Sequence, residues 1–188
     1  MLENPNHSLV VNSDRSLGVN AAKGACPFRS RVPTDVLLAS LRCDVCYLGS
    51  KAVKQEAAYH EAGHAVIACA LGCKVRFVII DSRGGGECQC DDPPEGEREQ
   101  KIMLCFAGPA AQRKHEPGSW KGWHGKDDYR KAVELVQGLG VSDERVSALI
   151  RETHGLVEKH WARIERFAQV LLQRGTLQAD EIDALFAD

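Results

Sequence analysis

Residues 51–72 read KAVKQEAAYHEAGHAVIACALG. The segment is rich in Ala and free of Pro, and Val53, Ala57, Ala65, Ile67 and Ala68 fall at the spacing of a buried helix, with Gly72 as a C-terminal stop. At its centre stands His60-Glu61-Ala62-Gly63-His64. On a helix, residues i and i+4 share a face, so both imidazoles can reach one zinc ion, while Glu61 is left free to take a proton from a zinc-activated water. That is the pattern of a zinc metallopeptidase. The bland alternative is a core helix whose histidines happen to share a face. It would bury two His and a Glu without a metal, at a cost of several kcal/mol, and the local sequence offers no polar company to offset it.

The sequence on either side predicts a mainly helical domain with a small hairpin or sheet. CKVRFVIID, after Gly72, is β-branched and aromatic with partial alternation, and Arg83-Gly84-Gly85-Gly86 turns it into a second short strand, ECQCD. Glu87 to Asp91 would then offer an edge on which an extended substrate can pair. Asp91-Asp92-Pro93-Pro94 breaks the pattern, and a helix is expected from about Glu97 to His115, kinked or broken at Gly108-Pro109. DYRKAVELVQGL recovers helical spacing. From Ser142 to Arg174 apolar residues recur at three and four, predicting one long amphipathic helix or two in series, broken near Gly155. Thr176 opens a last short helix ending at Leu185 and Phe186.

Towards the N-terminus, residues 1–31 mix Asn, Ser, Gly and scattered charge without periodicity, the composition of a disordered or loosely attached leader. Residues 32–50 follow as a short helical prefix, DVLLASLRCDVCYL, passing through Gly49-Ser50 into the domain at 51–188.

A formal net charge of -2 with 27% charged residues gives no electrostatic reason to expect a nucleic acid partner. No apolar run approaches the roughly 20 residues of a membrane span, and the N-terminus lacks the basic start and apolar core of a secretory signal. The chain therefore reads as soluble and cytoplasmic. Its 8 cysteines are accordingly read as reduced, with Cys69, Cys73 and Cys105 on apolar helical stretches where thiols act as small hydrophobes. Cys43-x-x-Cys46 and Cys88-x-Cys90 together have the spacing of a four-sulfur zinc site, although neither pair has the turn glycines of a zinc knuckle.

A catalytic zinc has three protein ligands and an open position, so one more donor must join His60 and His64. His115, His124, Asp127 and Asp128 all qualify by chemistry, while Glu97 and Glu99 lack a supporting pattern. YHEAGHAVIACALGCKVRFVII, the Gly-rich turn, LCFAGPAAQRKH, DDYRKAVELV and WARIERFAQVLLQRGTLQADEIDALF resemble, in that order, the peptidase domain of the FtsH family of ATP-dependent zinc proteases, over about residues 51 to 187.

The resemblance implies a zincin-like helical metallopeptidase domain that binds one Zn2+ per chain through His60, His64 and Asp128, with Glu61 as general base. Asp128 falls where the family's Asn-Asp-Leu-x-x-Ala pattern places its ligand. The Thr-Gly-Ala that commonly precedes that pattern is replaced here by Trp123-His124-Gly125-Lys126. The expected substrate is a protein or peptide. These 188 residues hold no Walker A glycine loop and so no ATP site, and powered unfolding would have to come from a separate ATPase partner. Family members form hexameric rings chiefly through their ATPase domains, which leaves a homo-oligomer open. The competing expectation is a non-catalytic adaptor that keeps the zinc fold as a scaffold, and Glu61 speaks against it, because a scaffold needs ligands but no base.

Overall fold

The computed structural model describes residues 8–13, 44–94, 97–118 and 125–187, without the side chains of 8–13 and 44–51. The chain is mainly helical with a small antiparallel sheet. In order it forms β1 (Ser8–Ser13), α1 (Asp44–Ala70), β2 (Val75–Ile80), β3 (Gly86–Asp91), α2 (Arg98–His115), α3 (Lys126–Leu139), α4 (Asp143–Lys159), α5 (Trp161–Arg174), β4 (Thr176–Gln178) and α6 (Ala179–Phe186).

Helix α1 is the hub, packing against α2 and α5 and against the inner face of β2 and β3. Its alanines explain the density of that packing. Ala57, Ala58, Ala62, Ala65 and Ala68 are all buried beside Val66 and Ile67, and small side chains let neighbouring backbones approach. Gly63 marks the closest approach, since a Cβ there would stand 2.6 Å from the Ala111 methyl and 2.7 Å from the Ala107 carbonyl oxygen. The sheet contributes Val75, Val78, Ile80, Cys88 and Cys90 to the same core, and α5 closes it with Ile164, Phe167, Ala168 and Leu171. A second cluster, Ile102, Met103 and Leu149, joins α2 to α4.

The sheet order is β1-β3-β2-β4 with every pairing antiparallel. Between β2 and β3 the turn is held by Asp81, whose carboxylate accepts the N–H groups of Arg83 (2.7 Å) and Gly85 (2.8 Å), while Gly84 takes a positive φ of 85°.

Several boundaries differ from the sequence expectation. Helix α1 begins at Asp44 and passes through Gly49 and Ser50 without interruption, so the part of the prefix that is described is continuous with the motif helix. Helix α2 runs unbroken through Gly108 and Pro109, both buried, because the packing of α2 on α1, tight at Gly108, outweighs the intrahelical hydrogen bond that proline forfeits. The break between α4 and α5 lies at His160 and not near Gly155. Gly155 sits inside α4 with no atom within 4 Å of its missing Cβ, and the turn comes where the chain leaves α2, against which α4 packs, for α1, against which α5 packs. Thr176–Gln178 is a strand paired with β2, so the last helix starts at Ala179, where the Gln178 N–H donates to the Glu181 carboxylate at 2.9 Å. Within residues 1–31, Ser8–Ser13 forms the edge strand β1: its Leu-Val-Val centre suits extended backbone, and its partner β3 lies too far along the chain for local pattern to reveal.

Candidate metal centre

Helix α1 carries His60, Glu61 and His64 on one face, and all three side chains are buried at 2%, 0% and 1% exposure. Helix α3 supplies Asp128 in its first turn. The residue before that helix, Gly125, takes the left-handed conformation at φ 67°, which turns the chain inward so that Asp128 is fully buried. Tyr129 anchors this turn to α2 through an edge-on contact with Phe106 and a hydrogen bond accepted from Arg113 at 3.0 Å.

The three donors converge. His60 Nε2 lies 2.9 Å from Asp128 Oδ2 and 3.1 Å from His64 Nε2, and His64 Nε2 lies 3.6 Å from Asp128 Oδ1. One ligand atom from each residue falls within 4.8 Å of the other two, a group able to hold a metal ion.

Their outer partners fix which nitrogens face inward. The Leu104 carbonyl can only accept, so His64 Nδ1 at 2.9 Å carries a proton and donates it. His60 Nδ1 likewise donates to Gln112 Oε1 at 3.0 Å. In the neutral rings both Nε2 lone pairs then point at one another and at a carboxylate. Three lone-pair donors this close in a dry site repel unless a cation lies among them. Asp128 Oδ1, buried and without a hydrogen-bond partner among the described residues, is one more acceptor for the same charge. The donor set therefore fits a metal, and the bonds to Leu104 and Gln112 are the kind that orient ligating imidazoles.

The electrostatics agree in sign. Burial alone would lower the pKa of His60, but the hydrogen bond and charge of Asp128, aided by Glu61, carry it above the ordinary value. Burial alone would raise Asp128, yet the positive charge that the imidazoles of His64 and His60 carry when protonated holds it well below the usual carboxylate range.

Two glycines shape the space. A Cβ on Gly108 would stand 2.2 Å from His64 Nε2 and 2.7 Å from His60 Cδ2, so α2 can cross the imidazoles only where it has no side chain. A Cβ on Gly86, the first residue of β3, would stand 2.6 Å from both Cγ and Oε1 of Glu61. Glu61 is thus confined beside the His-His-Asp group by the start of the strand that follows the Gly-rich turn.

The other candidates lie elsewhere. Asp127 pairs with Arg130 at 3.0 Å on the outer side of α3. His115 stacks on Tyr59 with centroids 3.5 Å apart. Glu97 bonds Gln100, and Glu99 pairs with Arg145 at 2.6 Å. His124 lies outside the described residues, as does Cys43, and the side chain of Cys46 is not described. Cys88 and Cys90 are buried free thiols on β3. Sequence reasoning did not find Gln112, Gly86 or Gly108. A glutamine on the apolar side of a helix was the available signal for the first, while the glycines act only through approaches between distant segments. Among the described residues no helix is long and apolar enough to cross a membrane.

No protein-family model matches this chain, and no curated protein matches it.

Proposed function

We propose that the chain is a zinc-dependent metalloendopeptidase that hydrolyses peptide bonds in proteins, with a zincin-like catalytic unit of the FtsH peptidase type. The observation that carries this reading is a fully buried Glu61 held against a His-His-Asp donor set by Gly86. Two imidazoles and one carboxylate suit zinc better than a harder cation, and three protein ligands leave a position for water or substrate. When bound, the ion supplies Lewis acidity, bringing the pKa of water toward neutrality and polarising the scissile carbonyl.

The protein's own residues do the rest. His60, His64 and Asp128 would hold the ion, with Gln112 and the Leu104 carbonyl fixing the two rings. Glu61 accepts the proton of the attacking water and delivers it to the departing amine, a role that requires a carboxylate kept out of the ligand set but beside it. An adaptor has no use for that carboxylate. The buried free thiols of Cys73, of Cys88 and Cys90 on β3 and of Cys105 on α2 support a reducing, cytoplasmic setting. A centre that lies against the start of a strand favours extended, unfolded substrates, delivered by a separate ATPase where the substrate is folded.

Glu61→Gln tests the reading. The variant is expected to bind one zinc per chain as the parent does and to lose hydrolysis of casein by about a thousandfold, within the range general base catalysis contributes. Undiminished hydrolysis would refute the mechanism.

A further inference from the structure

Strand β1 covers the whole outer edge of β3, in register from Ser8 opposite Asp91 to Ser13 opposite Gly86. Gly86 is the residue that lies against the Glu61 carboxylate. One end of β1 is therefore paired with the residue that touches the base assigned above. The same strand packs against α3, the helix whose first turn carries Asp128. β1 thus runs beside both β3, whose first residue touches Glu61, and α3, which carries Asp128, and it does so as extended backbone of the kind a substrate strand adopts. Its sequence, Ser8-Leu9-Val10-Val11-Asn12-Ser13, is uncharged, has no proline and is β-branched at its centre, as an extended peptide ligand would be. It joins the sheet through β3 alone, so its departure leaves the β3-β2-β4 ladder complete.

We propose that Ser8–Ser13 occupies the substrate strand position on β3, so that the chain's own N-terminal segment is an intramolecular competitor at its peptidase site. The inference rests on the peptidase reading for the word competitor, and on the pairing of β1 for the occupancy itself. Tethering gives such a segment an effective concentration on the order of millimolar, enough for a weakly pairing strand to hold the edge against free substrate. Activity would then depend on whatever draws residues 8–13 off β3, and a long unfolded substrate that pairs along the edge is itself such an agent.

The test uses two full-length single variants, Val10→Pro and Val11→Pro. Successive N–H groups of an edge strand point to opposite sides, so one proline removes a hydrogen bond to β3 and the other does not. The variant that loses the bond is expected to show at least a tenfold lower KM for an unfolded substrate with kcat retained, and the other to match the parent. A general effect of proline on folding would move both. A fluorescein-labelled peptide of residues 8–13, followed by anisotropy, should bind the released variant at least tenfold more tightly than the parent. Equal KM values in active parent and variants, or equal peptide binding by all three, overturns the proposal and leaves the peptidase reading standing. If none of the three hydrolyses substrate, the peptidase reading falls. Selective binding of the peptide to one variant then still supports β1 as the occupant of a ligand edge, and unselective binding overturns that as well.

Discussion

Gly108 and His64 face one another so closely that a methyl group on the glycine would fall 2.2 Å from the imidazole Nε2. An exposed mid-helix Gly→Ala change normally stabilises by up to about 1 kcal/mol, since glycine has the greater backbone entropy to lose. At Gly108 the same change must displace either α2 or both rings of the donor set. Gly108→Ala is therefore expected to weaken zinc binding at least tenfold, read by competition with a chromophoric chelator. Gly155→Ala, with nothing within 4 Å of the new methyl, should leave zinc binding alone and raise stability by roughly 0.5–1 kcal/mol in a thermal melt. Equal zinc affinity in the two variants would show that α2 does not press on the centre.

Adjacent residues on a helix point about 100° apart, so Asp127 and Asp128 cannot both face the histidines. Asp128 is buried against His60 and His64, whereas Asp127 is bonded to Arg130. Asp128→Asn should lose zinc by at least tenfold and abolish hydrolysis, and Asp127→Asn should alter only a half-exposed ion pair, worth at most about 1 kcal/mol. Metal content measured on the two purified variants decides between them. Zinc retained in Asp128→Asn and lost in Asp127→Asn would reverse the assignment.

What the sequence shows and what it hides follow from the range of the interactions. The motif helix was legible because His60, Glu61 and His64 share one face through local geometry, and β2 and β3 because alternation and the Gly-rich turn are local too. The choice of Asp128 was not available from spacing. It came with the resemblance of Asp127-Asp128-Tyr129 and the following residues to a family pattern, and in space it depends on the left-handed Gly125 and on the contacts of Tyr129 with α2. β4, at three residues, is too short to carry periodicity, and β1 exists only through a partner more than seventy positions away. Gly63, Gly86 and Gly108 look alike in sequence to Gly155, and only the neighbours packed on them separate the four.

Gln112 reaches the centre from α2 by accepting the Nδ1 proton of His60 at 3.0 Å, while itself buried at 2% exposure. Removing that acceptor leaves the imidazole free to rotate and to change tautomer, with the loss of a buried hydrogen bond besides. Gln112→Ala is expected to weaken zinc affinity 10- to 100-fold, the usual cost of an orienting partner, while Gln112→Glu, which keeps the acceptor, should retain most of it. Parallel zinc titrations of the two variants make the comparison. Equal losses in both would assign Gln112 to packing and not to orientation.

Cysteine reactivity offers a measurement independent of the peptidase reading. Burial is the first cause that raises the thiols of Cys90 and Cys105 to about 12, and it raises Cys88 well above its ordinary value, with neighbouring acidic groups adding to each. The thiolate is the reacting form, and a pKa of 12 leaves about one part in ten thousand ionised at pH 8. Iodoacetamide at pH 8 should therefore leave Cys88, Cys90 and Cys105 unmodified in the folded chain for times in which the denatured chain is fully labelled, with each site followed by peptide mass spectrometry. The sign of the pH dependence follows: labelling of these sites should climb steadily from pH 8 to 10 without levelling, since their pKa values lie above that window. Adding a zinc chelator separates two causes of protection. If burial protects Cys88 and Cys90, their labelling stays slow after the metal is removed. If chelation instead opens Cys88 and Cys90 together with Cys43 and Cys46, while Cys105 stays closed, the four hold a second zinc through thiolates, and the stoichiometry rises from one metal per chain to two.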